Sequence, residues 1–345
     1  MDVYDFDNQY FIQALSERGF YIAEQSHANY AHTAISLSAT LNLSYVEDLG
    51  IQLENADYPD VYRERLLHNF VRSTFEDLGY TIISTDSGWT YTQWVDVDSF
   101  RNYEIESEHF SINSFEFMLV ETTALKPLLD IYQIRRLNLP AETIQPGQRT
   151  RILATFDDLP RIARMDGPKF VFSHIISPHP PYVFDRNGDY QPSSESYSLS
   201  DTSSLDTLDI HRLRYGDQAM YISQRMIEAI DAILESSRTP PIVILQADHG
   251  PGLGISWGDT SDVTPEQIFD RMAILNSFLL PNDCQPMLYP QISSVNSFRV
   301  VLNCIAGTEF SLLQDHAFFS GKDPIHNFRN VDIIMHQENS MKFFP

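Results

Sequence analysis

The chain has 345 residues, of which 43% are hydrophobic and 12% aromatic, enough apolar surface for a folded core and too much for a disordered protein. It carries 47 acidic against 23 basic residues, a net charge of −24. With no local basic patch, neither nucleic acid nor an anionic lipid surface is an expected partner. No apolar run approaches the roughly 20 residues of a membrane-spanning helix, and the acidic start MDVYDFDNQYF is unlike a secretory signal.

The N-terminal quarter alternates predicted helices with predicted strands. Apolar spacing and stop signals give, in order, a helix from near Asn8 to Gly19, a strand at 21–23, a helix at 33–43, a helix at about 60–78 and a strand at 80–84. This alternation is typical of an α/β layered domain.

The rest of the chain continues the pattern with longer loops. Residues 111–138 have helical spacing interrupted by Pro127, and 139–150 are predicted as a loop. There follow a buried strand at 169–176, a long surface loop and candidate lid at 185–208, an amphipathic helix at about 213–236, a buried strand at 242–246 and a helix from Ser294 to Gly307. No repeat or linker divides the chain, so we predict one domain over 1–345, with 285–345 as a C-terminal appendage.

Cys284 and Cys304 are the two cysteines of the chain. Their spacing fits no zinc motif. We expect two unpaired thiols in the core, while a disulfide between them stays open as the alternative.

The segment IVILQADHGPG, residues 242–252, places polar side chains at the end of a predicted buried strand. Asp248 and His249 follow that strand, and Gly250 permits a sharp turn. Ligands gather at the carboxyl ends of strands in open α/β sheets, and carboxylate and imidazole are both good metal ligands. When this Asp-His pair is considered by itself, a position in a solvent-facing loop is a commoner explanation than a metal site.

The segment KFVFSHIISPHPPYVFDRNG, residues 169–188, repeats this arrangement. His179 lies in a proline-fixed loop after the strand, which suits a group that must be held in position. His174, inside the predicted strand, is as compatible with a hydrogen-bonded core histidine as with a functional role. Arg186 is a candidate clamp for a bound oxyanion, with a solvated loop charge as the alternative.

Thr33 opens the predicted helix in NYAHTAISLSATLNL, residues 29–43. The free N–H groups and the dipole of a helix start stabilise an alkoxide or a phosphate. A threonine at this place is more often an N-cap. Combined with a histidine after one strand and Asp-His after another, however, Thr33 fits a metal-assisted phosphoryl-transfer site.

Five phrases spread over nearly the whole chain carry a family resemblance through their order and spacing. They are GFYIAEQSHANYAHTAISLSATLNLSY, FVFSHIISPHPPYVFDRNG, PPIVILQADHGPG, RMAILNSFLLP and YPQISSVNSFRVVLN. In this order they resemble the successive blocks of the alkaline phosphatase/sulfatase superfamily, in its lipoteichoic-acid-synthase-like branch. The resemblance implies a three-layer α/β/α fold with a mixed central sheet and helices on both faces.

The resemblance also implies roles for individual residues. Thr33 corresponds to the metal-bound nucleophile, Asp248 and His249 to two further metal ligands, and His179 to the histidine at the transferred phosphoryl group or its leaving oxygen. The implied cofactor is a divalent cation, manganese first, with magnesium and zinc as alternatives. The implied substrate is phosphorylated or lipid-linked, and the implied place is the outer face of a membrane, with a membrane domain possible in the full-length protein.

The chain departs from its relatives in two ways. Around Thr33 there is no C/S-x-P-x-R motif, so sulfate-ester hydrolysis is disfavoured. Relatives also open with a strand ending in an acidic metal ligand, before the segment that matches residues 4–20. We therefore expect the chain to lack that strand, and neither Asp5 nor Asp7 is taken as its replacement.

Two functions follow as hypotheses. The first is metal-dependent phosphoryl or phospho-alcohol transfer, or phosphoester hydrolysis, through a Thr33-linked intermediate. The second is a catalytically incomplete relative or gene fragment, acting at most as a binding module.

Overall fold

A computed structural model describes residues 6–52, 57–103, 146–191 and 208–342. The described helices are α1 Gln9–Glu17, α2 Thr33–Leu41, α3 Arg63–Leu67, α4 Phe70–Asp77, α5 Pro146–Ala163, α6 Leu208–Ser236, α7 Pro265–Met272, α8 Ser294–Ile305 and α9 Asp332–Lys342. The described strands are β1 Tyr21–Ile22, β2 Thr81–Thr85, β3 Ser99–Arg101, β4 Lys169–Phe172, β5 Val243–Gln246, β6 Asn276–Leu279, β7 Phe318–Phe319 and β8 Arg329–Asn330.

The main strands form two three-stranded sheets. One has the order β3-β2-β4 with parallel pairs, and the other has the order β1-β6-β5 with antiparallel pairs. The predicted α/β class with mixed strand directions is confirmed.

Strands β4 and β5 are each paired along one side within the described part of the chain. All four residues of either strand are half-buried, whereas β2 and β6 are mostly buried. Phe172 of β4 and Ile244 of β5 nevertheless pack against the same core cluster, around Leu302 of α8. The two sheets therefore share a core without a hydrogen-bonded ladder between these strands.

Helix α8 packs against α2, and both contribute to that core. Its buried side chains include Val295, Phe298 and Leu302. This contact places the segment after residue 285 against the helix that begins at Thr33. The division into one domain with a C-terminal appendage stays a prediction.

Four predicted elements differ from the structure. The buried strand expected at 169–176 ends at Phe172 and is half-buried. The helix expected at 60–78 is interrupted at His68-Asn69, because the Asn69 side chain accepts the N–H of Arg72 and starts a new helix. The loop expected at 139–150 is wrong from residue 146, where Pro146 opens α5; a proline suits the first turn of a helix. Helix α6 begins at 208, earlier than the predicted 213.

The expectation of unpaired thiols is wrong: Cys284 and Cys304 form a disulfide, with their Cα atoms 5.7 Å apart. The reason is that Cys284 and Cys304 both belong to the cluster around Ile292, which brings the two side chains together. The helical pattern at 111–138 and most of the loop at 185–208 lie outside the described residues.

Candidate active site

Thr33 is the first residue of α2, and its hydroxyl does not cap the helix. The N-cap is the extended residue His32, which makes no side-chain capping bond. Thr33 Oγ1 lies instead 2.9 Å from His249 Nε2. The capping role that sequence alone favoured for Thr33 is therefore wrong, because its hydroxyl is engaged by a residue 216 positions away.

His249 follows β5, where the chain turns at Gly250. A Cβ atom at Gly250 would lie 1.9 Å from the backbone oxygen of Asp270, so only glycine fits. His249 Nδ1 is 2.9 Å from the Gly250 carbonyl oxygen. Because a carbonyl only accepts, Nδ1 carries the ring proton and Nε2 is left to accept the Thr33 hydroxyl proton.

Asp248 completes a cluster of three side chains. Its Oδ2 lies 3.3 Å from His249 Nε2, and the two side chains are 20% and 10% exposed. Helix α2 holds this strand end directly, since Ser36 Oγ donates to the Asp248 carbonyl at 2.7 Å. Thr33, Asp248 and His249 thus come from two separate elements to one point.

The surroundings of the cluster give its two ionisable groups, Asp248 and His249, different charge states at neutral pH. Burial, reinforced by the charge of Arg271, lowers the pKa of His249 to about 4. Burial alone would raise the pKa of Asp248, but His249 and His174, together with the nearby Thr33 hydroxyl, hold it below its usual value. At neutral pH the site therefore presents an ionised carboxylate beside a neutral imidazole.

His179 lies in the loop after β4. Its Nδ1 donates to the Pro180 carbonyl at 2.6 Å, and Gln218 of α6 holds the loop by donating to the His179 carbonyl at 3.2 Å. Burial is the main reason why the pKa of His179 is lowered, and the charges of Arg271 and Asp248 act on it as well. The charges of Arg271 and Asp248 therefore act on His179, and the proton on Nδ1 leaves its Nε2 as an acceptor.

The other sequence candidates have partners of their own. His174 Nδ1 is 2.9 Å from Thr92 Oγ1, beneath Trp89. Arg186 pairs with Asp217 of α6 at 2.7 Å, and its side chain is 54% exposed. Asp7 accepts the N–H of Gln9 at the start of α1, and Asp5 lies outside the described residues.

The three donors suit a divalent cation in type and spacing. Two ligands about 2.1 Å from one cation lie roughly 3.0–3.4 Å apart, close to the distances within this cluster of 2.9 and 3.3 Å. Within the ranges that the structure describes, however, no group of three His, Cys, Asp or Glu side chains could hold a metal. The donor set fits a cation but supplies a single carboxylate.

Sequence reasoning missed two residues beside the cluster. Arg271 at the end of α7 donates to carbonyls on both loops that carry the cluster. Tyr58, whose pKa burial raises to about 12, bonds the Ala34 backbone next to Thr33 and packs on His32. Neither residue belongs to a local motif; Arg271 opens the phrase RMAILNSFLLP, which offered no chemical signal by itself.

No protein-family model matches the sequence, and neither does any curated protein. Among the described residues, no helix has the length and apolarity needed to cross a membrane.

Solved structures, in contrast, are similar over most of the chain. The C-terminal periplasmic domain of EptC from Escherichia coli has a TM-score of 0.56 and 10% identity, covering 96% of this chain and 88% of that one. The corresponding domain of phosphoethanolamine transferase EptC from Campylobacter jejuni has a TM-score of 0.51 and 11% identity, covering 91% and 86%. The Escherichia coli domain in complex with zinc has a TM-score of 0.53 and 12% identity, covering 96% and 88%. The predicted alkaline phosphatase/sulfatase-like fold is confirmed.

Proposed function

We propose that this chain, built on the alkaline phosphatase/sulfatase-like fold, is a phosphoryl- or phospho-alcohol-transfer domain that acts through Thr33. The observation that carries the proposal is the hydrogen bond between Thr33 Oγ1 and His249 Nε2 at 2.9 Å, beside the Asp248 carboxylate. A hydroxyl that donates to an unprotonated imidazole at a helix start is an activated nucleophile.

In the first step, Thr33 Oγ attacks the phosphorus and the bond from phosphorus to the leaving oxygen breaks. His249 Nε2 accepts the hydroxyl proton, and Asp248 stabilises the imidazolium that forms. The N-terminus of α2 favours the negative charge of the phosphoryl group attached to Thr33.

His179 suits the second step. Since its Nδ1 holds the proton that bonds the Pro180 carbonyl, its neutral Nε2 can accept a proton from an incoming alcohol or water. That oxygen then attacks phosphorus and the bond to Thr33 Oγ breaks, so an alcohol gives transfer and water gives hydrolysis.

Thr33, Asp248 and His249 are the residues that would hold a divalent cation, with manganese, magnesium and zinc as candidates. When bound, such a cation would occupy His249 Nε2, so that this nitrogen accepts the Thr33 proton in the metal-free site alone; the cation would itself favour the Thr33 alkoxide and polarise a phosphoryl oxygen. The zinc complex of the Escherichia coli EptC domain supports a cation in this fold.

We place the site on the outer side of a membrane, with a phosphorylated or lipid-linked substrate and a membrane domain in the full-length protein. The similar structures are periplasmic domains, one of them of a phosphoethanolamine transferase. The Cys284–Cys304 disulfide supports this placement, because disulfides persist in oxidising compartments. Arg186, whose exposed side chain pairs with Asp217, is the proposed substrate-binding cation.

The test is turnover of bis-p-nitrophenyl phosphate with manganese, combined with mass spectrometry of Thr33 carrying the p-nitrophenyl phosphoryl group that remains after one p-nitrophenolate leaves. Thr33→Ala is expected to abolish both signals with a stability loss of at most about 1 kcal/mol, as for a minor helix-start change. Thr40→Val is the matched control on the same helix, since the Thr40 hydroxyl donates to the Ser36 carbonyl away from His249. Near-normal turnover by Thr33→Ala would reject the proposed nucleophile.

One observation favours a second function. The described cluster holds one carboxylate and lacks a third acidic or imidazole ligand. A chain that keeps the fold but completes no metal site would act as a binding module. Turnover by the unaltered chain with manganese separates the two functions.

A further inference from the structure

Arg271, at the end of α7, joins the two loops that carry the candidate site. Its Nε donates to the Ala31 carbonyl at 2.7 Å, and its Nη1 donates to the carbonyls of Gly250 at 2.9 Å and Pro251 at 3.2 Å. Ala31 lies two residues before Thr33, and Gly250 follows His249 directly. One guanidinium therefore bonds the backbone on both sides of the Thr33–His249 contact.

The Gly250 carbonyl accepts from two donors. His249 Nδ1 and Arg271 Nη1 both lie 2.9 Å from this oxygen. A carbonyl oxygen has two lone pairs, so both bonds form together. Arg271 thereby fixes the acceptor that keeps the proton on His249 Nδ1 and directs Nε2 to Thr33.

The position of Arg271 is itself fixed. Arg271 is 8% exposed, and its guanidinium lies 4.7 Å from the ring centre of Trp257. A Cβ atom at Gly252 would lie 2.8 Å from Arg271 Cδ, so the loop passes directly over the side chain. The backbone adds a further bond, from the Gly250 N–H to the Arg271 carbonyl at 2.7 Å. A planar, two-armed donor held in this way has one orientation.

We propose that Arg271 is a positioning residue that sets the Thr33–His249 hydrogen bond by fixing the Ala31 and Gly250 carbonyls. Its structural effect stands without the proposed function, whereas its effect on turnover rests on it.

The structural test reads the ring protons of His249 by nitrogen NMR of protein labelled in histidine, above pH 7, where His249 is neutral. In the unaltered chain we expect the proton on Nδ1. In Arg271→Met, which removes the donors but keeps the length of the side chain, we expect a mixture of both tautomers. An unchanged Nδ1-protonated ring in folded Arg271→Met overturns the proposal.

Arg299→Met is the matched control. Arg299 also donates to carbonyls of two segments, Leu43 and Ser311, and lies over the ring of Phe310. Its loss removes a similar set of bonds away from His249. The tautomer of His249 should stay as in the unaltered chain, and a shift equal to that of Arg271→Met would mean that general loosening, not positioning, is measured.

Arg271→Lys serves where Arg271→Met does not fold. Lysine keeps the charge as a single point and cannot reproduce the two-armed bond, so the same mixture of tautomers is expected. A folded lysine variant with the tautomer of the unaltered chain also overturns the proposal.

The kinetic test uses bis-p-nitrophenyl phosphate. A misplacement of catalytic groups by about 1 Å costs on the order of 100-fold in rate, so Arg271→Ala should lose about that factor in kcat with little change in KM. Added guanidinium ions, far below denaturing concentrations, should restore part of the loss because they fit the vacated space. Absent turnover in the unaltered chain, together with a tautomer shift in Arg271→Met, would reject the proposed function and leave the positioning role supported.

Discussion

Hydroxyl and amide side chains at three helix starts of this protein behave differently for physical reasons. Asn69 and Thr264 accept backbone N–H groups of their own helices and act as caps. Thr33 is one residue inside its helix, and its hydroxyl bonds His249 on another element. The position relative to the first helical residue decides between the two roles: the capping bond is made from the N-cap position, and Thr33, one residue later, bonds His249 instead.

The histidine after β4 yields a prediction at the residue scale. His179 has its proton on Nδ1, which bonds the Pro180 carbonyl, so its Nε2 serves the incoming oxygen of the second step. His179→Ala should still form phosphorylated Thr33 but release it slowly, with a loss on the order of 100-fold in turnover. Rapid quenching and mass spectrometry measure the accumulation.

The exposed residue His68, which faces Asp96 at 3.7 Å, provides the matched control for this experiment. His68→Ala should show no accumulation. If His179→Ala formed no phosphorylated Thr33 at all, His179 would act on the leaving oxygen in the first step instead.

At the scale of elements, the continuous apolar runs predicted where two strands lie but not their burial. IVILQ and the first half of KFVFSHII form β5 and β4, yet the burial expected of such runs is wrong, since every residue of both strands is half-buried. The three-part cluster was also accessible to sequence reasoning, since its members follow a strand or open a helix. The disulfide and Arg271 were not, because each depends on contacts between distant segments that no local pattern encodes.

The unpaired edges of β4 and β5 give a prediction at the same scale. Half of the backbone N–H groups in each strand face the side without a ladder among the described residues. Residues 169–172 and 243–246 should therefore exchange amide hydrogens for deuterium faster than 81–85 and 276–279, which are buried or paired on both sides.

Hydrogen exchange with mass spectrometry of short peptides measures this difference. The helix α8 provides the control, since its N–H groups are bonded within the helix and should exchange slowly. Equal protection of all four strands would contradict the prediction and would show that another segment of polypeptide pairs with the edges of β4 and β5.

The whole molecule should lose stability in mild acid. Burial lowers the pKa of His32 to about 3 and that of His249 to about 4, and it also lowers those of His27, His174 and His179. The unfolded chain, with histidine pKa values near 6.5, binds more protons below that pH. The stabilisation is therefore fully present above about pH 6.5 and declines as the pH falls toward the folded values.

Between pH 7 and 5 we expect a loss of about 2 kcal/mol in unfolding free energy from each of His32 and His249. Urea denaturation at several pH values measures it. His32→Gln should reduce the slope of the unfolding free energy against pH by the equivalent of one bound proton, because glutamine does not titrate. A free energy of unfolding that stays constant across this range would contradict the prediction.

The affinity of the site for a metal depends on how much negative charge the fold brings next to the cation. A divalent cation held by Thr33, Asp248 and His249 would have one carboxylate as its ligand, although the chain as a whole carries a net charge of −24. A single carboxylate with two neutral ligands compensates the cation poorly, so we expect a Kd for manganese on the order of 10⁻⁴–10⁻³ M. Calorimetric titration measures this Kd, with Asp248→Asn as the control that should remove the remaining binding.

The exposed Asp7→Asn variant should leave the titration unchanged, since that carboxylate bonds the N–H of Gln9 at the start of α1. Tight, stoichiometric binding would mean that a further acid joins the cluster, and loss of that binding in Asp7→Asn would identify it.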